Sequence, residues 1–220
     1  MTEPSPGAHR GLHPPQVTRS SAAFTASAAG RVARERLAQP NGWWGMALFL
    51  CAEVALFGTI ISSYFYLDFD AHRWPPAGVP DPSVVWPSIG TAVLVAMSVP
   101  MWLAARSARA GRGGPVMGLI SFAMIVQGAY LALQVVLLTQ NLHQFKPQGS
   151  AYGSIYYTLL VAHHAHVLFG ILLDFTILVF VAIRGLTNYW LIGVRCLALY
   201  WHVVNVIAVF VLLVTLSPSL

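Results

Sequence analysis

Charge is scarce in this chain. Of its 220 residues only 9% are Asp, Glu, Lys or Arg, against about 25% in an average soluble domain. With 57% apolar residues and a mean hydropathy of +0.67, a soluble fold of this size could not hide its apolar surface. The same figures exclude a disordered chain, which needs low hydrophobicity and much charge. Cysteine is scarcer still. Two residues, Cys51 and Cys196, cannot make a disulfide scaffold. Strict apolar–polar alternation in segments of about ten residues is missing, which excludes a transmembrane β-barrel. The first 40 residues hold no apolar core of the roughly 7–15 residues that a secretory signal needs. Helices that cross a membrane are what is left.

Five long apolar runs are present: about Trp43–Leu67, Val84–Ala105, Val116–Gln140, Ile155–Ile183 and Tyr189–Leu216. Each meets or exceeds the ~20 residues that cross a ~30 Å hydrocarbon core as a helix. The fold class is therefore all-α, a polytopic bundle of five transmembrane helices formed by residues 41–216. Residues 1–40 are rich in Pro, Ser, Ala and Arg and are expected to be a flexible cytoplasmic tail, with a short surface helix over 31–38. The tail's acid-poor composition is one that transit peptides share. Pro75, Pro76, Pro80 and Pro82 mark the first loop, Pro115 opens the third run and Pro147 marks a later loop. Pro100 falls inside the second run and predicts a kink.

The net charge of +5 (12 Lys and Arg against 7 Asp and Glu) takes its meaning from the loops. Arg10, Arg19, Arg31, Arg34 and Arg36 precede the first run. Asp68, Asp70 and Asp81 follow it, with Arg73. Arg106, Arg109 and Arg112 follow the second run, Lys146 the third and Arg184 the fourth, with Arg195 just inside the fifth. Basic charge alternates loop by loop, which predicts an inside N-terminus and an outside C-terminus. The positive balance is thus a topology signal, and no nucleic acid is needed to explain it. Trp43, Trp44, Trp74, Trp86, Tyr189 and Trp190 sit near run ends, where aromatic belts lie.

Polar residues inside the runs are few. Glu53 lies ten residues into the first run, ~15 Å deep and close to the midplane. A lone carboxylate there is costly unless protonated or paired. It reads as a proton site, a lipid-headgroup or cleft contact, a partner-helix contact, or a neutral Glu bonded within helix packing. His163, His164 and His166 open the fourth run, and His163 and His166 share a face at i, i+3. Metal or haem ligation would need ligands converging from other helices, His202 being one candidate. No cysteine or carboxylate motif accompanies them, and a hydrogen-bonded histidine network is the other reading. Asp174 lies on nearly the same face as His163 but ~16 Å further along. It reads as a contact to another helix or a cavity, or as a protonated core acid. His202 and Asn205 in the fifth run, with Gln127 and Gln134 in the third, have the character of interhelical glue. The two cysteines lie at different depths and are expected to be free.

Three segments carry a resemblance. Trp44-Gly-Met-Ala-Leu-Phe-Leu-Cys-Ala-Glu53-Val-Ala-Leu-Phe57, with Tyr64-Phe65 after it, resembles the stretch of haem-copper oxidase subunit III that holds a buried glutamate. Ser150-Ala-Tyr-Gly-Ser-Ile-Tyr-Tyr157 followed by His163-His-Ala-His166-Val-Leu-Phe-Gly170 is similar to that family's Tyr-Gly-Ser stretch and His-Gly-x-His-Val helix. Tyr200-Trp-His-Val-Val-Asn-Val206 is similar to its closing Tyr-Trp-His-Phe-Val-Asp-Val. Order and spacing agree over residues 41–216, and the length fits the bacterial five-helix form.

The resemblance implies a non-redox subunit of a proton-translocating cytochrome c oxidase in the bacterial plasma membrane. This chain would bind no haem, copper or other metal, and those groups would sit in partner subunits. It would pack directly on subunit I, in one complex with subunit II. It would hold phospholipid in a V-shaped cleft between helices 1–2 and helices 3–5, and would support proton uptake and stability during turnover. Glu53 would face that cleft, while His163, His166, Gln134, His202, Asn205 and Asp174 would make interhelical polar contacts. Asn205 stands where the family usually has Asp, Leu137 and Leu138 where it often has Glu-Tyr, and His164 where it has Gly. These departures keep two related readings open: an accessory protein of a nitric oxide reductase system, and subunit III of a quinol oxidase. A small transporter or haem membrane protein would need inverted repeats or facing bis-histidine pairs, and the sequence has neither.

Overall fold

The computed structural model describes residues 41–79 and 84–217. The expected tail with its 31–38 helix, and Pro80, Asp81 and Pro82, lie outside the described residues. Within them all regular structure is helical: α1 Asn41–Asp70, α2 Val85–Ala96, α3 Ser98–Arg109, α4 Gly113–Gln144, a 3-10 turn at Pro147–Gly149, α5 Ala151–Arg184 and α6 Asn188–Leu216. Taken with α2 and α3 as one span, five helices are long and apolar enough to cross a membrane, as the five runs predict. The helices overshoot the apolar runs by up to a turn, because Asn41, Asp70 and Gln144 at their tips can still hydrogen-bond in the interface.

The second span carries the break that Pro100 predicts, one turn upstream of the proline. Pro100 has no N–H to give the carbonyl of Ala96, and its ring crowds that carbonyl. The ladder loosens at Met97, whose N–H is shared between the carbonyls of Val93 (3.3 Å) and Leu94 (3.1 Å). Other ends are set locally. The Ser150 hydroxyl accepts from the Gly153 N–H at 3.0 Å and caps α5. Gly185 closes α5 with φ +70°, a conformation that glycine adopts without strain.

Packing order places the site. α6 is the most buried span and α1 the least. α1 rests on α5 and α6. The broken second span rests on α4 and α6, and α5 lies between α4 and α6. α1 and the second span therefore do not form a pair of their own. One core gathers around Tyr200 and Trp201 of α6, with Leu94, Met101, Ile120 and Val167. A second, aromatic core lies at the end where α1, α4 and α6 finish and α5 begins. There Trp74 meets Tyr64 (5.4 Å between ring centroids) and Tyr152 (5.0 Å), both edge-on. Such contacts contribute about 0.5–1.5 kcal/mol each beyond area burial.

Candidate functional site

Glu53 is paired. Its Oε2 lies 2.6 Å from Nε2 of His166, across 113 positions of sequence. The two side chains are 17% and 20% exposed, so the pair sits at the flank of the bundle where α1 crosses α5. His166 is fixed on three further sides. Its Nδ1 stands 2.7 Å from the carbonyl of Ala162, the Phe57 ring meets it edge-on at 5.2 Å, and the Tyr200 hydroxyl donates to its backbone carbonyl at 2.7 Å. The Ala162 oxygen can only accept, so Nδ1 carries a hydrogen. One proton then lies between Nε2 and Oε2. Two would face each other, and none would set a lone pair against a carboxylate. Whichever atom holds it, the pair has no net charge. That removes most of the cost of an ionised group at this depth. Chemically, the pair can pass a proton between oxygen and nitrogen without changing the local charge.

Asp174 is the centre of a second set. It is fully buried, and its Oδ1 accepts from the Trp201 indole N–H at 3.1 Å. With the Gln127 amide turned so that its nitrogen faces the acid, that nitrogen donates to Oδ2 at 2.8 Å and to the Ala123 carbonyl at 3.1 Å. Three helices, α4, α5 and α6, meet at this carboxyl. Trp201 reaches it because Gly170, one turn before Asp174, offers no side chain. A Cβ on Gly170 would stand 2.6 Å from the Trp201 ring and 2.9 Å from that of Tyr200.

The remaining residues separate. Asn205, buried on α6, donates through Nδ2 to the Ser98 hydroxyl at 2.7 Å, just where the second span breaks. His163 is buried at 2% exposure, and neither of its ring nitrogens meets a partner among the described residues. It shares a face with His166 but points inward, where His166 turns to Glu53. Nδ1 of His202 likewise meets no partner among the described residues. Gln134 is buried against Gly90, where a Cβ would come 3.0 Å from its Nε2. Both cysteines are free. Among the described residues no group of three His, Cys, Asp or Glu is arranged to hold a metal ion. Sequence reasoning did not single out Ser98. Its only signal is its position two residues before Pro100.

The Asn205–Ser98 bond gives a test through its asymmetry. Removing one partner strands a buried polar group, at about 1–3 kcal/mol, whereas removing both can be nearly neutral. Ser98→Ala is expected to lower the thermal midpoint in detergent, and Ser98→Ala with Asn205→Leu to recover part of the loss. A double variant worse than Ser98→Ala by the full cost of Asn205→Leu would show that the contact carries nothing.

A family model described as cytochrome c oxidase subunit III matches residues 34–217, most of the chain. The chain belongs to the haem-copper oxidase subunit III family. Cytochrome c oxidase subunit 3 of Bacillus subtilis (strain 168) is 28% identical over 78% of this chain and 83% of its own length. The cytochrome bo(3) ubiquinol oxidase subunit 3 of Pseudomonas aeruginosa is 25% identical over 76% and 80%. The quinol oxidase subunit 3 of Bacillus spizizenii is 27% identical over 77% and 82%. As a subunit III of a haem-copper oxidase, the chain is an integral membrane protein that partners other oxidase subunits.

Glu53 yields a second test. A hydrophobic carbodiimide is expected to label Glu53 in membranes, read by mass spectrometry of the peptide. Glu53→Gln is expected to lose that label while the subunit still accumulates, because the Gln amide can donate to Nε2 of a neutral His166. An unlabelled wild type would contradict a carboxyl that carries the shared proton.

Proposed function

We propose that this chain is the non-redox subunit III of a cytochrome c-type terminal oxidase in a bacterial plasma membrane. Its N-terminus is inside, and it packs on subunit I in a complex that also holds subunit II. It binds phospholipid along a cleft bordered by α1 and supports proton uptake and the stability of subunit I during turnover. The observation that carries this reading is the Glu53–His166 pair. A proton-sharing group of zero net charge, partly open at the flank of the most exposed helix, is suited to relay protons beside lipid. The large apolar side chains that α1 leaves exposed, such as Leu48 (70%) and Phe69 (93%), are consistent with lipid contact. The haems and copper belong to partner subunits.

A second reading, subunit III of a quinol oxidase, is favoured by one fact. Relatives named as quinol oxidase subunits match at nearly the same identity and coverage as those named for cytochrome c. Isolation of the tagged chain in mild detergent, with mass spectrometry and a reduced-minus-oxidised haem spectrum, decides between them. A co-purified haem-copper subunit that oxidises cytochrome c supports the first reading, and one that oxidises quinol supports the second. A nitric oxide reductase as partner, or a chain that purifies alone, overturns both.

A further inference from the structure

Apart from the Glu53–His166 pair, the bundle holds a second polar space. A pocket of about 340 Å³ opens between α2, α4, α5 and α6, where α4 ends and α5 begins. His164, Gln134, Asn141 and Tyr156 give it polar groups, and Trp86 and Phe145 give it aromatic walls. No Asp, Glu, Lys or Arg lines it among the described residues. A smaller space of about 30 Å³ shares Gln134 and His164 with it and reaches His163. The larger pocket, at about 340 Å³, falls within the ~300–1,000 Å³ typical of small-molecule sites.

His164 determines what the pocket can hold. The residue is only 9% exposed and its ring stacks on that of Tyr130 at 6.1 Å. Its Nδ1 is 2.6 Å from the Leu160 carbonyl, an oxygen that only accepts, so Nδ1 carries the hydrogen. In the neutral ring Nε2 is then a lone-pair acceptor. That atom is buried and has no partner among the described residues. A buried acceptor without a donor is costly, so the occupant should bring an O–H or N–H. The charge-free lining disfavours phosphate, carboxylate and ammonium, each of which would need a countercharge once desolvated. The amides of Gln134 and Asn141 can serve a second oxygen in either role. The aromatic walls, with Leu137 and Leu138 beside them, suit a ring or an alkyl tail.

We infer that this pocket holds the hydroxyl-bearing head of a neutral amphiphile, its O–H donated to Nε2 of His164. A glycerolipid with a free hydroxyl and a hydroquinone share that chemistry. The inference does not rest on the oxidase reading and can be tested on the full chain in its own membranes.

A diazirine-tailed analogue of dioctanoylglycerol serves as the photolabel, under anaerobic conditions so that hydroquinone stays reduced. Labelled peptides are mapped, and two competitor pairs are titrated: dioctanoylglycerol against the dioctanoate of propanediol, and decylhydroquinone against its dimethyl ether. Labelling is expected on the peptides spanning 134–145 and 156–164. The hydroxyl-bearing member of a pair is expected to compete about tenfold better than its counterpart. His164→Phe keeps an aromatic ring beside Tyr130 and should erase that preference. His164→Gln, which restores an acceptor oxygen, should recover part of it. A preference confined to the glycerol pair identifies a neutral lipid, and one confined to the other pair identifies a quinol. Labelling that maps elsewhere, or equal competition within both pairs, overturns the proposal.

Discussion

Gly170→Ala is expected to destabilise the bundle, although it places a better helix former in the middle of a helix. Alanine in place of an interior glycine gains up to about 1 kcal/mol. Here the new Cβ would meet the Trp201 ring at 2.6 and 2.9 Å and the Tyr200 ring at 2.9 Å. Neither ring can step aside cheaply. Both are fully buried, and each is held at its far end, Trp201 by Asp174 and Tyr200 by the carbonyl of His166. Overpacking of this kind costs about 1–3 kcal/mol, so the clash outweighs the propensity. Gly170→Val adds further methyl groups and should prevent accumulation of the folded subunit. Gly58 and Gly128, where an added Cβ meets nothing within 4 Å, are the controls. Alanine at either should leave the thermal midpoint in detergent unchanged or raised. A Gly170→Ala subunit as stable as Gly128→Ala would refute the close packing of α5 on α6.

That packing marks the limit of what the sequence reveals. Run length and loop charge locate the five spans within a few residues because the bilayer imposes one length on all of them. Pro100 foretells the break at Met97, since a missing N–H is a local fact. Partner choice is not local. Helical spacing says that Glu53 lies at mid-depth and that His166 shares a face with His163. It does not say that α1 packs on α5, and only that crossing joins two groups 113 positions apart. Asp174 reads as a buried acid with some neighbour, but its partners Trp201 and Gln127 lie on two other helices. Trp201 stands in the sequence only as part of the Tyr200-Trp-His motif, with nothing to mark it as a donor to Asp174. His163 and His164 look alike in sequence. They differ in the structure because one step along a helix turns a side chain through about 100°, so that His164 alone turns a nitrogen to its own Leu160 carbonyl.

At Asp174 the hydrogen bonds, not the charge, are expected to hold the three helices together. Asp174→Asn keeps an oxygen for the Trp201 N–H. Its new NH2 would face Gln127, whose amide can turn to present oxygen instead, so the Trp201 bond keeps its direction, the Gln127 bond reverses, and the Gln127 bond to the Ala123 carbonyl is given up. Stability should therefore fall by about 1 kcal/mol, the net contribution of the one hydrogen bond given up. Asp174→Leu has no such remedy. It strands the indole N–H and the Gln127 amide where neither reaches water, at about 1–3 kcal/mol for each, and should unfold the subunit or come close to it. Trp201→Phe removes the donor and part of the ring, at a cost set mainly by the lost volume. Combined with Asp174→Leu it should cost clearly less than the sum, because the stranded N–H is gone, and the coupling should reach about 1 kcal/mol in a double-mutant cycle. Thermal unfolding of the four variants in one detergent measures every term. If Asp174→Asn were as damaging as Asp174→Leu, an ionised carboxylate would be required at this position. The link between α4, α5 and α6 would then be electrostatic rather than a set of interchangeable donors and acceptors.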